Sequence, residues 1–310
     1  MKKSVVTIGV FDGVHTGHRA VIKKTVDRAR AVGAVSIVVT FDPHPLKVLG
    51  ASDLAPSLMS LKHRVNTIKA LGADKVIVMR FDKRLSAMEP GVFIKSIIRK
   101  GLNAGEIFVG EDFCFGKGAL ADIEALERFG RESGLIVHSV KAVKRSGRVI
   151  SSSQIRRLIV SGRIKEASAL LGRPFSVLGT VVSGAKLARA LGYPTANINP
   201  HHEAMPPSGV YAVRVKLGGK LFKGVMNIGV RPTFYDHGRD IEPSIEVHIF
   251  GFHGGIYGKD LEIIFVKRMR AEKKFNTIDS LIEQVRKDEN AAKRLLSYST
   301  PLKNFCSSAS

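Results

Sequence analysis

The chain has 310 residues, of which 44% are hydrophobic, and its 49 Lys and Arg against 27 Asp and Glu leave a formal net charge of +22. This length and apolar content exclude a disordered chain and allow two domains, each with its own core. The apolar runs are too short to span a bilayer, so a membrane protein is not expected.

The strong positive charge predicts attraction to anions, from nucleotides to nucleic acid. The basic residues are dispersed, however, and the densest run, KAVKRSGR at 141–148, is short. The sequence lacks zinc-finger spacing, an aromatic RNA-binding motif and a basic region with heptads. We therefore expect no specific nucleic-acid partner, and a solvated basic surface is an equally good interpretation of the charge.

The amino terminus, MKKSVV, runs directly into a strand-like segment and lacks the layout of a cleaved signal peptide. The two cysteines, Cys114 and Cys306, stand far apart in the chain. Two thiols in a chain of this length are typical of a reducing compartment. The sequence thus predicts a cytoplasmic protein and leaves its oligomeric state open.

Up to about residue 160, short β-rich runs alternate with segments whose apolar residues recur at helical spacing. This alternation indicates a doubly wound parallel sheet, a Rossmann-like α/β domain, with helices on both faces. Ligands of such sheets bind at the carboxyl ends of the strands. The predicted strands are SVVTIGV (4–10), VSIVVTF (35–41), KVIVMRF (75–81), EIFVG (106–110) and LIVHSV (135–140), and the predicted helices cover 18–33, 61–72 and 91–101.

After ISSSQIRRLIVSGRIKEASALLGRP the pattern changes to closely spaced strands without intervening helices. That pattern favours an antiparallel β-barrel or sandwich, followed by a C-terminal helix over 277–296. We expect an N-terminal domain over 1–170, a C-terminal domain over 171–300 and a tail over 301–310. The strands predicted in the second domain cover 175–182, 209–217, 220–230, 244–252 and 261–267.

The stretch TIGVFDGVHTGHR at 7–19 leads from the first strand into the first helix. Gly9, Gly13 and Gly17 allow the backbone to approach a ligand, and a helix N-terminus binds phosphate. His15 and His18 could donate hydrogen bonds to phosphate oxygens as negative charge develops. Two histidines at this spacing would alone be weak support, since a turn can carry incidental histidines. Zinc is disfavoured because no third ligand follows.

Eight motifs together carry a family resemblance. The chain resembles the bifunctional riboflavin kinase and FMN adenylyltransferase family from about residue 5 to about residue 298, and the first motif has the HxGH form of bacterial FAD synthetases. The resemblance implies that riboflavin and ATP give FMN at the C-terminal site, and that FMN and ATP give FAD and pyrophosphate at the N-terminal site. The motifs are GVFDGVHTGHR, TFDPHP, VGEDFCFGKG, ISSSQIR, LGYPTANI, GVYAV, NIGVRPTF and SIEVHIF.

For the N-terminal site, the resemblance implies that His15 and His18 steady the α- and β-phosphates of ATP. Arg156 would supply a fixed cation for the leaving pyrophosphate, because a guanidinium stays charged and matches phosphate oxygens; alone, it would be assigned to a surface salt bridge. The remaining phosphate-binding candidates are Gly9, Asp12, Gly13, Gly17, Ser151 and Ser152.

The expected flavin site lies in EDFCFGKG, with Asp112, Phe113 and Phe115. Aromatic faces stack on flat heterocycles, yet at least one of the two phenylalanines is better explained as a core residue. The run is not a P-loop, because five residues separate Gly110 from Gly116 and the final Ser or Thr is missing.

For the C-terminal site, the resemblance implies that Glu246 is the general base for the riboflavin 5′-hydroxyl. The alternative is a solvent-facing residue of an alternating strand, and that alternation is also compatible with a barrel whose Glu246 face lines the site. Thr195 and Asn197 offer hard oxygen ligands to Mg²⁺ bound with ATP. Gly184 and Arg189 would cover the ATP phosphates.

Four positions depart from the family pattern and put affinity and efficiency in question more than the fold: Cys114, Ala188, Gly251 and Ala271. The departures leave open a related enzyme with one working half, most plausibly the adenylyltransferase. A second alternative is a basic nucleic-acid-binding protein that reuses the fold. Metal preference and inhibition by flavins are not determined by the sequence.

Overall fold

The computed structural model of the chain describes residues 3–50, 56–119, 121–183, 193–201, 204–230 and 243–298. The chain forms two compact units, one of Met1–Ile155 with Leu170–Gly172 and one of Arg156–Ala169 with Arg173–Ser310. In the described ranges, no helix combines the length and apolar character that crossing a membrane requires.

The first unit is built on a five-stranded parallel sheet with the order β3–β2–β1–β4–β5. The predicted doubly wound sheet is thus confirmed. The strand order reverses between β1 and β4, and ligands of open α/β sheets bind beyond the carboxyl ends at such a reversal. The strands are β1 (Ser4–Ile8), β2 (Val35–Asp42), β3 (Lys75–Arg80), β4 (Ala104–Gly110) and β5 (Ile136–Val140).

Both faces of this sheet are covered, and all five residues of β1 are buried for that reason. On one face, Val6 lies in a core cluster with Ile94 of a π-helical segment. On the other face, Val5 packs with Val21 of the first helix. The helical elements are α1 (Thr16–Ala31), α2 (Pro45–Val48), α3 (Leu61–Lys69), α4 (Lys83–Ser86), α5 (Pro90–Val92) with the π-helical continuation Phe93–Gly101, a 3₁₀ turn (Lys117–Ala119) and α6 (Ile123–Ser133).

A short hairpin and two helices follow β5. The hairpin pairs β6 (Lys144–Arg145) with β7 (Arg148–Val149), and its turn has positive φ at Ser146 and Gly147, 49° and 76°. The two helices are α7 (Ser152–Val160) and α8 (Ile164–Leu171).

The second unit is a closed antiparallel barrel with the order β10–β11–β12–β9–β8–β13, which confirms the predicted barrel. One of its strands, β9, was not predicted, because four residues are too few for an alternating pattern to be recognised. The strands are β8 (Ser176–Val182), β9 (Ala196–Asn199), β10 (Gly209–Leu217), β11 (Lys220–Val230), β12 (Pro243–Ile249) and β13 (Asp260–Arg270).

The barrel interior is filled by apolar side chains from alternate strand positions. On β12, Ile245 and Val247 are 2% and 0% exposed, whereas Glu246 between them is only half-buried. Tyr211 and Phe265 meet edge to face inside, with ring centroids 5.3 Å apart. Glu246 therefore projects from the outer face of its strand, away from the apolar interior.

The C-terminal helix α9 (Ile278–Tyr298) covers part of that outer face. Ala292 and Leu296 pack against Ala212 of β10. At the end of β13, Arg270 Nη2 lies 2.7 Å from Asp288 Oδ2 of the helix. This ion pair is mostly buried and fixes α9 to the barrel.

Candidate functional site

The loop that follows β1 holds an unusual backbone conformation. Phe11, Gly13 and Val14 have φ values of 51°, 82° and 41°. Positive φ is uncommon for residues other than glycine and persists where the surroundings impose it. Phe11 and Val14 are buried, and a Cβ on Gly13 would lie 2.6 Å from Leu58 Cδ1. The loop is therefore packed tightly into the unit and presents a defined shape to a ligand.

His15 is the N-cap of α1. Its Nδ1 accepts a hydrogen bond from the backbone N–H of His18 at 3.4 Å, which satisfies one of the unpaired donors of the first helical turn. An Nδ1 that accepts must carry a lone pair, so the neutral ring of His15 has its proton on Nε2. The capping contact therefore fixes which nitrogen of His15 can donate to a ligand.

The two imidazole rings stack on each other, with centroids 3.6 Å apart and an angle of 21° between their planes. Burial lowers the pKa of His15 to about 4. Burial also lowers the pKa of His18 well below its ordinary value, and the positive charges of His15 and Arg64 lower it further. At neutral pH the pair is therefore uncharged, and each ring can donate one hydrogen bond.

Glycine at position 17 makes room for this arrangement. A Cβ on Gly17 would lie 3.2 Å from both Cε1 and Nδ1 of His15, which is tighter than ordinary packing. At Gly9, a Cβ would lie 3.0 Å from the ring of Phe11. Phe11 in turn meets His18 edge to face, with ring centroids 5.4 Å apart. These glycines thus allow the aromatic rings to reach their observed positions.

Asp12, predicted to bind phosphate, connects the opening loop to two other segments of the chain by hydrogen bonds. Its buried carboxylate accepts the backbone N–H of Leu58, at 2.9 Å to Oδ1 and 3.1 Å to Oδ2. Its carbonyl oxygen accepts a hydrogen bond from Ser152 Oγ at 2.9 Å. The structure therefore brings the start of α7, within the ISSSQIR motif, into contact with the opening loop.

Other predicted residues of the N-terminal site differ in exposure. The hydroxyl oxygen of Ser151 accepts the backbone N–H of Gln154 at 3.3 Å, and Arg156 is half-buried, one turn after Ser152 in α7. A contact between Arg156 and phosphate stays a prediction. Sequence reasoning overlooked a further cation, Arg64, which is buried in α3 beside the loop. The available signal was a charged residue one turn before Ile68, on the apolar face of the predicted helix.

The predicted flavin segment follows β4, on the other side of the point where the strand order reverses. Asp112 is exposed and Phe113 is half-buried. Phe115 is 7% exposed and lies in the core cluster with Phe93. The rings of Phe113 and Phe115 stack with centroids 5.6 Å apart. The expectation that at least one phenylalanine belongs to the core holds for Phe115, which leaves Phe113 as the better flavin candidate.

In the second unit, Glu246 lies on the outer face of the barrel with other polar residues. Thr195 Oγ1 donates to Glu246 Oε2 at 3.1 Å. Asn197 of β9 is the register partner of Glu246 on one side, and Asn227 of β11 is its partner on the other. Asn227 was not identified from the sequence. The alternation therefore places the predicted base and both predicted metal ligands on one face.

His248, two residues after Glu246 on the same face, is a second residue that the sequence did not single out. Its Nδ1 lies 2.8 Å from the carbonyl oxygen of Pro194. A carbonyl only accepts, so the Nδ1 atom of His248 carries the proton. Tyr193 meets the His248 ring edge to face. These contacts hold the YPTAN motif, and with it Thr195, against β12.

The donor set around Glu246 suits a hard cation. A hydroxyl, a carboxamide and a carboxylate, from Thr195, Asn197 and Glu246, are the oxygen ligands that Mg²⁺ prefers. Within the part of the chain that the structure describes, three His, Cys, Asp or Glu residues do not come together in a metal-binding cluster. Gly184 and Arg189, predicted to cover the ATP phosphates, lie outside the described residues.

Two of the departures from the family pattern have a structural setting. Gly251 follows β12 with φ of 63°, where glycine carries no steric penalty. The carbonyl oxygen of Ala271 accepts Arg270 Nη1 at 2.9 Å, so its backbone takes part in the junction with α9. Cys114 is exposed. Ala188 lies outside the described residues.

A switch-point loop with two neutral histidines at a helix N-terminus and a separate barrel with a carboxylate beside hard oxygen donors define a two-domain transferase that uses nucleotides. Comparisons with known proteins agree. A FAD synthetase family model matches residues 1–154 and a riboflavin kinase family model matches residues 171–296. The chain belongs to the bifunctional riboflavin kinase/FMN adenylyltransferase family.

The similarity extends over nearly the full length of the relatives. The Bacillus subtilis bifunctional riboflavin kinase/FMN adenylyltransferase is 38% identical over 298 residues, which cover 95% of this chain and 93% of the relative. The Escherichia coli K12 protein of the same name is 36% identical over 299 residues, 96% and 94% of the two chains. A crystal structure described as a macrolide-efflux protein from Streptococcus pneumoniae has a TM-score of 0.81 and 31% identity, with 94% of each chain covered.

Proposed function

We propose that this chain phosphorylates riboflavin to FMN in its C-terminal unit and adenylylates FMN to FAD in its N-terminal unit, with ATP as co-substrate of both reactions. The observation that carries the proposal is the stacked His15–His18 pair at the N-terminus of α1, where the strand order of the sheet reverses. We place both reactions in the cytoplasm and propose no role for a nucleic acid or a membrane.

In the adenylyl transfer, a phosphate oxygen of FMN attacks the α-phosphorus of ATP, and the bond from that phosphorus to the pyrophosphate oxygen breaks. His15 and His18 donate hydrogen bonds to oxygens of the α- and β-phosphates. Their low pKa values support this role, because neutral rings remain single-proton donors and do not pass to the imidazolium form at neutral pH. Donors held in advance stabilise charge that grows in the transition state.

Other residues have proposed roles in the adenylyltransferase reaction beside this pair. The backbone N–H groups at the start of α1 receive the triphosphate, which the helix dipole also favours. Arg156 and Ser151 contribute to the leaving pyrophosphate. Asp112 and Phe113 hold the flavin, with the ring of Phe113 as the stacking surface.

In the kinase reaction, the riboflavin 5′-hydroxyl oxygen attacks the γ-phosphorus of ATP, its proton passes to Glu246, and ADP leaves. The hydrogen bond from Thr195 holds the Glu246 carboxylate in one orientation. His248 supports the segment that carries Thr195 through Pro194. Phosphoryl transfer depends mainly on positioning and on neutralised charge, so these contacts matter as much as the base itself.

Thr195 and Asn197 are the proposed protein ligands of Mg²⁺ in this unit. When bound with ATP, the cation would neutralise charge on the phosphates. Gly184 and Arg189 retain their predicted role of covering those phosphates.

One incubation tests the proposal. The pure protein is mixed with riboflavin, ATP and Mg²⁺, and riboflavin, FMN and FAD are then separated and quantified over time. We expect FMN to form first and FAD to follow. Formation of FMN without FAD would leave only the kinase half working. No product from riboflavin, with FAD formed when FMN is supplied in a second incubation, would leave only the adenylyltransferase half. Absence of any flavin product, with salt-dependent binding to DNA or RNA, would replace the proposal with the nucleic-acid alternative.

A further inference from the structure

The buried Arg64 joins two strands at the edge of the sheet where the opening loop begins. It is 5% exposed. Its Nη1 donates to the carbonyl oxygen of Val10 at 2.9 Å, just after β1, and its Nη2 donates to that of Phe41 at 2.8 Å, near the end of β2. One planar guanidinium therefore holds the carboxyl ends of two neighbouring strands at a fixed separation.

The segment before α3 contacts the same loop at a second point. Leu58, three residues ahead of the first residue of α3, donates its backbone N–H to the carboxylate of Asp12. The loop is thus held on both sides of Phe11, at Val10 by Arg64 and at Asp12 by Leu58. Phe11 contacts His18 directly, so a shift of the loop would be transmitted to the histidine.

Arg64 also acts on His18 through its charge. Burial lowers the pKa of the Arg64 guanidinium, while the carboxylates of Asp12 and Asp42 raise it, and an arginine with such neighbours stays protonated. The nearby cation disfavours a second positive charge on His18.

Each of the two residues has one buried side-chain nitrogen that lacks a hydrogen-bond partner among the described residues, Nε in Arg64 and Nδ1 in His18. Arg64 Nε always carries a hydrogen, whereas His18 Nδ1 can be either donor or acceptor. A proton on Nδ1 of His18 would therefore be a second buried donor without an acceptor, which costs free energy. A lone pair on Nδ1 instead leaves an unmatched acceptor, which folded proteins tolerate better than an unmatched donor.

We propose that Arg64 is a positioning residue of the adenylyl-transfer site, which keeps the proton of His18 on Nε2 and holds the loop that carries both histidines. The inference rests on the proposed function of the N-terminal unit. The capping contact already gives His15 its proton on Nε2, so Arg64 makes the stacked rings equivalent donors. The N–H groups of two adjacent stacked rings can then meet oxygens of the same ATP.

The first test requires no change in the protein. The full chain is labelled with ¹⁵N-histidine, and long-range ¹H–¹⁵N spectra are recorded at pH 7, with His18 assigned by comparison with His18→Asn. We expect a neutral ring with its proton on Nε2. A proton on Nδ1, or a cationic ring, would overturn the proposal whatever the activity of the enzyme.

The second test uses two variants. Arg64→Met removes the charge, and Arg64→Lys keeps the charge but lacks the planar guanidinium with its several N–H donors. Lys69→Met removes an exposed cation from the same helix and serves as the matched control. For Arg64→Met we expect a fall in kcat of FAD synthesis of about 10- to 100-fold, a smaller change in KM for ATP, and a mixture of His18 tautomers. Arg64→Lys should keep the Nε2 tautomer and recover part of kcat.

FMN formation from riboflavin, measured on the same samples, reports the amount of active protein. A folded Arg64→Met protein with kcat within twofold of Lys69→Met, or with an unchanged tautomer, overturns the proposal. If Arg64→Met does not fold, loss of the Nε2 tautomer in Arg64→Lys would overturn it and its retention would support it. A parent chain that makes no FAD refutes the proposed function, yet the tautomer still tests the positioning by Arg64.

Discussion

The Nδ1 atom of His15 accepts the backbone N–H of His18 while the two rings stack face to face, 3.6 Å apart between centroids. A helix cap and a proposed catalytic donor are therefore the same side chain. This dual role means that the first turn of α1 and the orientation of the nitrogens proposed to bind phosphate depend on each other.

Replacing His18 separates the two reactions. We expect His18→Ala to lower FAD synthesis by about 10²- to 10³-fold, the usual effect of losing one preorganised donor, while FMN formation continues and FMN accumulates. His253→Ala, which changes an exposed histidine of the second unit, is the control. The flavin products are separated and quantified over time. FAD synthesis at the parent rate would show that His18 has no role in the mechanism.

The low pKa of His15 predicts a pH dependence of stability. Folded His15 has a pKa of about 4, against about 6.5 in an unfolded chain, so the unfolded state binds more protons between these values. This contribution to stability is complete above pH 6.5 and is lost as the pH falls toward 4. It amounts to about 3 kcal/mol for a shift of this size.

Urea titrations at pH 7.5, 6 and 5, followed through NMR signals of buried β1 residues, measure this dependence. His15→Asn keeps a capping side chain but cannot titrate, so its dependence on pH should be shallower. Equal slopes for the parent chain and His15→Asn would contradict the assignment to His15.

Gly17→Ala tests the space beneath the His15 ring. The added Cβ lies 3.2 Å from the ring, so we expect the ring to shift, the stack to loosen and kcat for FAD synthesis to fall roughly tenfold. Gly105→Ala is the control, because a Cβ there makes an ordinary 3.5 Å contact with the flexible Lys3 side chain. If the two variants have the same kcat, the close fit at Gly17 has no bearing on catalysis.

Glu246→Gln keeps the size of the side chain and removes the basic carboxylate. We expect the kinase rate to fall by about 10²- to 10⁴-fold, the typical contribution of a general base, with little change in riboflavin affinity. FAD synthesis from supplied FMN should be almost unchanged. Glu283→Gln, in an exposed ion pair with Lys287, is the control. Near-normal FMN production by Glu246→Gln would rule out the base, and equal losses in both half-reactions would indicate damaged folding.

Separate fragments should retain separate reactions. Leu170–Gly172 belongs to the first unit, where Thr16 Oγ1 donates to the carbonyl oxygen of Leu170 at 2.9 Å. We therefore expect residues 1–172 to convert FMN to FAD and residues 156–310 to make only FMN, because each unit has its own core. Folded but inactive fragments, checked by circular dichroism and flavin analysis, would mean that each site depends on the other unit.

Periodicity explains why much of the fold could be predicted. Buried parallel strands such as β1 are continuous apolar runs, and the apolar residues of α1 recur at helical spacing. Both elements can therefore be recognised in the sequence without knowledge of the elements that pack against them. The four-residue β9 is recognisable only through its pairing with β8 and β12. Long elements could therefore be predicted from their own sequence. A short strand such as β9 is recognised only from the strands with which it pairs.

The residues of the candidate site also differ in how far the sequence could predict them. His15, His18 and Glu246 stand in motifs and could be proposed from the sequence. Arg64 and His248 act through backbone carbonyl oxygens, of Val10, Phe41 and Pro194, which have no residue-specific pattern. The stacking of the histidines was also not predictable, because it depends on the cap and on the space left by Gly17.

The strict alternation of β12 makes a shifted pairing of this strand unfavourable. Ile245 and Val247 fill the interior, while Glu246 projects outward between register partners on β9 and β11. A slip of one residue in the pairing of β12 would carry the carboxylate into the apolar interior and expose two large side chains. The energetic penalty of a buried charge thus opposes the shifted pairing, so the proposed catalytic base itself helps to enforce correct strand alignment.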